Sequence, residues 1–214
     1  MTEQRWPAPV LPLHGPARAA GTLIVLSAVA GVAVTVADWH TSSVADEYIA
    51  DTAELTIDDL RDAEALAALA SWGYLGITLL AALAFILWCW RARLNAEALS
   101  PARHRLTRGW VIGGWFCPVV QLWFPYQVVS DIEKASRPDA TADLRANPLI
   151  GRWWVMLVVS LLLDQYVTQV VLRTVSAETL REAAGLTTVA SGLQLIAAVM
   201  ALVILRRITA AQAA

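Results

Sequence analysis

Charge is scarce in this chain of 214 residues: only 16% are Asp, Glu, Lys or Arg, while 57% are apolar. Soluble proteins carry about 25% charged residues, so too few are present here to coat a water-facing domain of this length. Lysine is nearly missing, with Lys134 alone among 16 basic residues; such an arginine bias accompanies GC-rich genomes. The net charge of −2 gives no reason to expect nucleic acid or a strongly acidic partner. The two cysteines, Cys89 and Cys117, stand far apart in apolar stretches. That excludes CxxC and zinc-like spacings and predicts two buried thiols. His14, His40 and His104 all fall outside the apolar runs, on opposite sides of a membrane in the topology derived below, so they cannot share a metal. Neither GxxxxGK[ST] nor GxGxxG occurs. Ser191-Gly192 has no intramembrane histidine to activate it, and Asp164 has no second carboxylate with which to form an aspartyl dyad. The expectation is a protein that is not an enzyme and uses no cofactor.

Long apolar runs are what the chain has instead. A helix needs roughly 20 apolar residues to cross about 30 Å of hydrocarbon. Four segments qualify, predicting spans over about 19–38, 66–90, 150–172 and 184–205. The uncharged core of the first, Ala19 to Ala37, exceeds the roughly 7–15 residues of a signal-peptide core and predicts an uncleaved span. The fold class expected is therefore an all-α integral membrane protein with four transmembrane helices. It divides into a Pro-rich lead (1–18), a single membrane domain (19–207) and a short tail (208–214).

Residues 109–136 form a fifth candidate that proline breaks twice, at Pro118 and Pro125. Charge decides against a crossing. The loop 39–65 is strongly acidic, whereas Arg91 to Arg108 holds five arginines against Glu97 alone. Positive loops stay inside the cell. Five crossings would leave nine basic residues inside and seven outside; four crossings leave 13 inside and three outside. Four crossings put both termini in the cytoplasm of a bacterial plasma membrane. The proline-broken segment then re-enters or lies at the inner interface, because prolines free carbonyls that only protein or water can satisfy at depth. Pro125 suits the first turn of an amphipathic helix. On that helix Val128, Val129, Ile132 and Ala135 line one side, and Gln127, Ser130, Asp131, Glu133, Lys134 and Arg137 the other. Tryptophans fit the same depths: Trp39 and Trp72 at the outer interface, Trp88, Trp90, Trp110, Trp153 and Trp154 at the inner one. The acidic loop predicts helix starts at Ser43 (with Asp46) and Thr56 (with Asp59), and the four prolines of the lead predict irregular chain.

GWFCPVVQLWFPYQVVSDIEKAS, at Gly114–Ser136, resembles the W-F-x-P, P-Y and D/E-I-W-x-A-S signature of a family of bacterial four-span membrane proteins. That family is catalogued only as domain-of-unknown-function family 4328. RWWVML at Arg152–Leu157 and LRRITAAQ at Leu205–Gln212 are similar to its later spans and tail, so the likeness runs from about Gly21 onward. Gln121 stands where an asparagine is usual, and Glu133 where a tryptophan is usual. The second departure removes an aromatic that could anchor a partner. The resemblance implies the four-span topology and implies no activity.

Two groups of residues could carry a function. Trp115, Pro118, Trp123, Pro125 and Tyr126 could form an interaction platform for a cytoplasmic or membrane protein or a lipid headgroup. The plainer alternative is that they kink the chain and anchor it at the interface. Asp164, with Ser160 and Thr168 a turn away, could pair with Gln194 inside the membrane, where Thr187 and Ser191 share the Gln194 face. Intramembrane carboxylates serve transport or tie helices together. The first reading is thus a protein acting through protein or lipid contacts at its inner face. The second is a small transporter or channel subunit with a polar path at Asp164 and Gln194, which so few spans would require to form a homo-oligomer.

Overall fold

Apolar runs without proline satisfy their backbone only as helices in a medium without water, and all four predicted runs are helical. The computed structural model describes residues 10–50, 54–100, 104–137, 147–173 and 176–213. The predicted placements of Arg5, Asp51, Arg103 and Arg145 lie outside the described residues. The elements are α1 (His14–Ala50), α2 (Ile57–Leu99), α3 (Trp110–Gly113), a 3-10 turn at Val120–Leu122, α4 (Phe124–Ala135), α5 (Pro148–Arg173) and α6 (Ala177–Ala211). There is no strand among the described residues. Four helices, α1, α2, α5 and α6, are long and apolar enough to cross a membrane. The proline-broken segment holds nothing longer than the 12 residues of α4, about 18 Å at 1.5 Å per residue. No described part of it can cross as a helix.

The chain packs as two units. The first comprises Met1–Thr22, Ala82–Trp154 and Met200–Ala214; the second comprises Leu23–Ala81 and Val155–Val199. In the second unit Val29, Val36, Leu69, Leu79, Leu162 and Val199 are more than half exposed. Helices apolar on their outward faces are stable against hydrocarbon and not against water. Inside this unit, hydroxyl contacts join the helices. Ser27 and Thr78 are 2.7 Å apart, Thr35 and Ser191 2.8 Å, and the Trp39 indole donates to Thr188 at 2.9 Å. Small polar residues serve this purpose between membrane helices because hydrophobic exclusion gives no attraction there.

The first unit has a conventional core. Trp88, Val111, Val128, Val129, Ile132, Ile150, Trp153, Leu205 and Ile208 are all at most 3% exposed. Gln212 donates from Nε2 to the Ala92 carbonyl at 2.9 Å and to Ser136 Oγ at 2.7 Å, tying α2, α4 and α6 together. Asn95 clasps the N-terminal segment. Its Oδ1 accepts the Leu11 N–H at 2.7 Å and its Nδ2 donates to the Leu11 carbonyl at 2.9 Å. Asn147 begins α5 by accepting the Leu149 N–H at 3.0 Å, with Pro148 in the first turn where a missing donor costs nothing.

Several expectations change. The irregular lead was placed through residue 18, but α1 begins at His14, with Pro16 still in the first turn. Ser43 starts no helix. It lies inside α1 with its hydroxyl on the His40 carbonyl at 2.8 Å, because neither proline nor glycine interrupts the run from Val32 to Ala50. Thr56 does start α2. Its N–H donates to Asp59 Oδ2 at 2.7 Å, and the Asp59 N–H returns to Thr56 Oγ1 at 3.4 Å, the reciprocal pattern of a capping box. Thr56→Ala should cost about 1 kcal/mol; faster hydrogen exchange confined to the first turn of α2 checks it. Cys89 is buried, but Cys117 is only half-buried. Trp88 and Trp153 are interior residues rather than interfacial anchors. Ser130 and Asp131, assigned to the polar side of α4, are buried, for a reason that the arginine loop supplies.

Candidate functional site

Three arrangements of polar and aromatic side chains stand out. The first is the proline-broken element itself. Between α3 and α4 the chain turns so tightly that a Cβ on Gly114 would sit 2.7 Å from the Trp110 carbonyl oxygen and 3.1 Å from Phe124 Cβ. Trp110 meets Phe124 edge-on, with centroids 4.8 Å apart. Behind the turn, Phe85 contacts Trp88, Trp115 and Trp153, and Trp154 contacts Trp115 and Trp153, all with centroids between 5.4 and 6.0 Å. The Trp154 indole donates to the Leu122 carbonyl at 2.6 Å, satisfying a backbone acceptor beside the proline break. In front, Phe116 and Val119 are 73% and 67% exposed.

The five platform residues divide accordingly. Pro118 and Trp123 are exposed, Trp115 and Tyr126 are half-buried, and Pro125 is buried at the start of α4. Tyr126 lies against Gly151. The outward face therefore belongs to Phe116, Pro118, Val119 and Trp123, while the remaining aromatics brace it. Phe116 and Val119 were not singled out from the sequence; nothing distinguishes them there from other apolar residues of the segment.

The second arrangement, also in the first unit, is the loop after α2. Arg93, only 4% exposed, donates from Nε to Glu97 at 2.6 Å and from Nη2 to the Leu106 carbonyl at 2.9 Å. The other Glu97 oxygen takes Arg108. Asp131, 6% exposed, accepts the Arg105 N–H at 2.8 Å and Arg105 Nε at 2.9 Å. This is why Asp131 is buried: the loop folds over α4 and replaces water as its donor. Glu133 is likewise held by Arg137, at 2.7 Å. Burial, and then the Arg93 charge, lower the pKa of His104 below the usual value, opposed by Asp131 and Glu97. Its imidazole is therefore neutral near pH 7. Both His104 ring nitrogens and Arg93 Nη1 are buried without a hydrogen-bond partner among the described residues. Asp131→Asn keeps an acceptor but loses the charge, and should lower stability by about 1 kcal/mol; a chemical unfolding curve reads this.

The third arrangement lies in the second unit. Gln194 Nε2 donates to Asp164 Oδ2 at 2.7 Å, and the Tyr74 hydroxyl donates to Gln194 Oε1 at 2.8 Å. The expected Asp164–Gln194 pair is thus in contact. Thr168 donates to the Asp164 carbonyl at 2.9 Å, whereas the Ser160 hydroxyl turns to Leu157. Ser191 pairs with Thr35 as described. Tyr74 and Gly31 were missed. A Cβ on Gly31 would lie 3.4 Å from Gln194 Oε1 and 3.5 Å from the Tyr74 ring, so glycine leaves the room in which the two side chains meet. A tyrosine inside an otherwise apolar run was the available signal. Among the described residues no group of three His, Cys, Asp or Glu side chains could hold a metal ion.

A family model described as a domain of unknown function (DUF4328) matches residues 51–210. The match takes in α2 to α5 and nearly all of α6, and starts after α1 rather than near Gly21. No curated protein matches the chain, and no solved structure does.

Proposed function

We propose that this chain, which belongs to the DUF4328 family, is a multi-pass protein of the bacterial cytoplasmic membrane. It has both termini in the cytoplasm, is not an enzyme, and acts through protein or lipid contacts at its inner face. One observation carries the reading: the charges divide between the two units. Described residues of the first unit include ten Lys or Arg against Glu97, Asp131 and Glu133; those of the second include 11 Asp or Glu against Arg61, Arg173 and Arg181. Basic residues are retained on the cytoplasmic side during insertion. The positive unit is also the one that presents Phe116, Val119 and Trp123 on a braced support. A contact surface of this kind needs rigid aromatic anchors more than it needs chemistry.

The Asp164–Gln194–Tyr74 contacts favour a second reading, a small transporter with a polar path. Reconstitution separates the two. Purified protein in liposomes loaded with a pH-sensitive dye should pass protons no faster than empty liposomes under an imposed potential. Flux well above that background, abolished by Asp164→Asn, would overturn the contact reading and favour the transporter.

A further inference from the structure

Among the described residues, every acid of the first unit has a basic partner. Glu97 is bound by Arg93 and Arg108, Asp131 by Arg105, and Glu133 by Arg137. Among the described residues of the loop, three guanidiniums face two carboxylates and a neutral imidazole, which leaves one positive charge in the cluster. The side chains of Arg105 and Arg108 are 46% and 59% exposed, and no further carboxylate of this unit is free among the described residues to pair with them. Beneath them Arg93, almost fully buried, keeps Nη1 unpartnered beside the two unpartnered nitrogens of His104. A single Glu97 carboxylate links Arg93 to Arg108, and the His104 ring feels both Glu97 and Asp131. These groups therefore form one cluster. Directly along the chain come exposed apolar side chains: Trp110, Ile112 and Phe116, at 36%, 43% and 73%.

We propose that the cluster of Arg93, Arg105 and Arg108 is a binding site for the phosphodiester of one anionic phospholipid, whose acyl chains lie along Trp110, Ile112 and Phe116. Charge and shape together point to this ligand. A phosphodiester carries a single negative charge, equal and opposite to the surplus of the cluster, and its oxygens accept from planar guanidinium forks. A free anion would match the charge but has no use for the apolar side chains that follow. A zwitterionic lipid would use those side chains but brings no net charge. The proposal rests on the contact reading above and names the partner of its inner face.

The test uses the full chain purified in a neutral detergent, with phosphatidylglycerol, phosphatidylcholine and inorganic phosphate as probes. Bound lipid is counted by native mass spectrometry, and the melting temperature is followed in parallel. Phosphatidylglycerol should bind with a stoichiometry of one and raise the melting temperature, while the other two should not. Arg108→Gln should weaken it about tenfold, the loss of one charge-assisted contact. The control is Arg206→Gln with Arg207→Gln, which removes two exposed charges from the same unit and should leave binding unchanged. Equal weakening by the control would mean diffuse attraction to a positive surface and would overturn the site. Equal binding of phosphatidylcholine would reduce it to apolar contact, and an equal effect of inorganic phosphate would remove lipid as the ligand. Should Arg108→Gln lower the melting temperature without lipid, Arg108→Lys keeps the charge without the fork and should still weaken binding. If residues 138–146 prove to face outward, the cytoplasmic reading fails while this binding result stands by itself.

Discussion

Gln194→Leu is expected to lower the unfolding free energy by about 1–3 kcal/mol. The residue bridges two others, accepting from Tyr74 at 2.8 Å and donating to Asp164 at 2.7 Å. Leucine has nearly the same volume and fills the space, so cavity formation contributes little. What is lost is pairing: the Asp164 carboxyl loses its Gln194 donor, and the Tyr74 hydroxyl loses its Gln194 acceptor and keeps only Thr78. Unpartnered buried polar groups cost about 1–3 kcal/mol each, although partners found in the unfolded membrane state reduce this. Tyr74→Phe removes one of the two contacts and its hydroxyl together, and should cost under half as much. Denaturant titration in mixed micelles measures both. If Gln194→Leu were neutral, these contacts would not hold the helices together, and a conducting role for Asp164 would gain ground.

Gly114→Ala should be comparably damaging, at about 3 kcal/mol, for a different reason. Its Cβ would stand 2.7 Å from a backbone oxygen, that of Trp110, and 3.1 Å from Phe124 Cβ. Neither is the far end of a flexible side chain, so the turn itself must open. Opening it separates Trp110 from Phe124 and disturbs Trp115 against Phe85 and Trp154. The loss should therefore show in near-ultraviolet circular dichroism, where tryptophan packing dominates, with little change in helix content. Gly113→Ala is the matched control, since its nearest neighbour would be the Trp110 ring at 3.7 Å, an ordinary contact. Equal behaviour of the two variants would contradict the tight turn.

The parts of this molecule that the sequence discloses are those governed by local rules. Four apolar runs of about 20 residues predicted α1, α2, α5 and α6, because a run of that length has one stable form in hydrocarbon. Thr56 with Asp59, and Pro125 in the first turn of α4, are likewise decided within four residues. The Asp164–Gln194 pair was legible because polar groups in apolar helices seek one another. Long-range pairings were not. Asp131 sits on the polar side of α4 by helical periodicity, yet Arg105, 26 positions earlier, caps it and turns that side into interior. Asn95 reads as an ordinary residue near a helix end and proves to hold Leu11, 84 positions away. Trp88 and Trp153 occupy the ends of apolar runs, where indoles commonly mark an interface. Here Phe85 stands between them, at 5.4 and 5.6 Å, and they become core. Periodicity assigns a residue to a face; it does not say what will cover that face.

Sided thiol labelling decides most directly on which side of the membrane the positive unit lies. A single cysteine is placed at Asp143, between α4 and α5 in the chain, with Cys89 and Cys117 replaced by alanine. A membrane-impermeant maleimide should leave it unmodified in intact cells and modify it in inside-out vesicles. Modification in intact cells would place the loop outside, turn the proline-broken segment into part of a crossing, and contradict the inner contact surface.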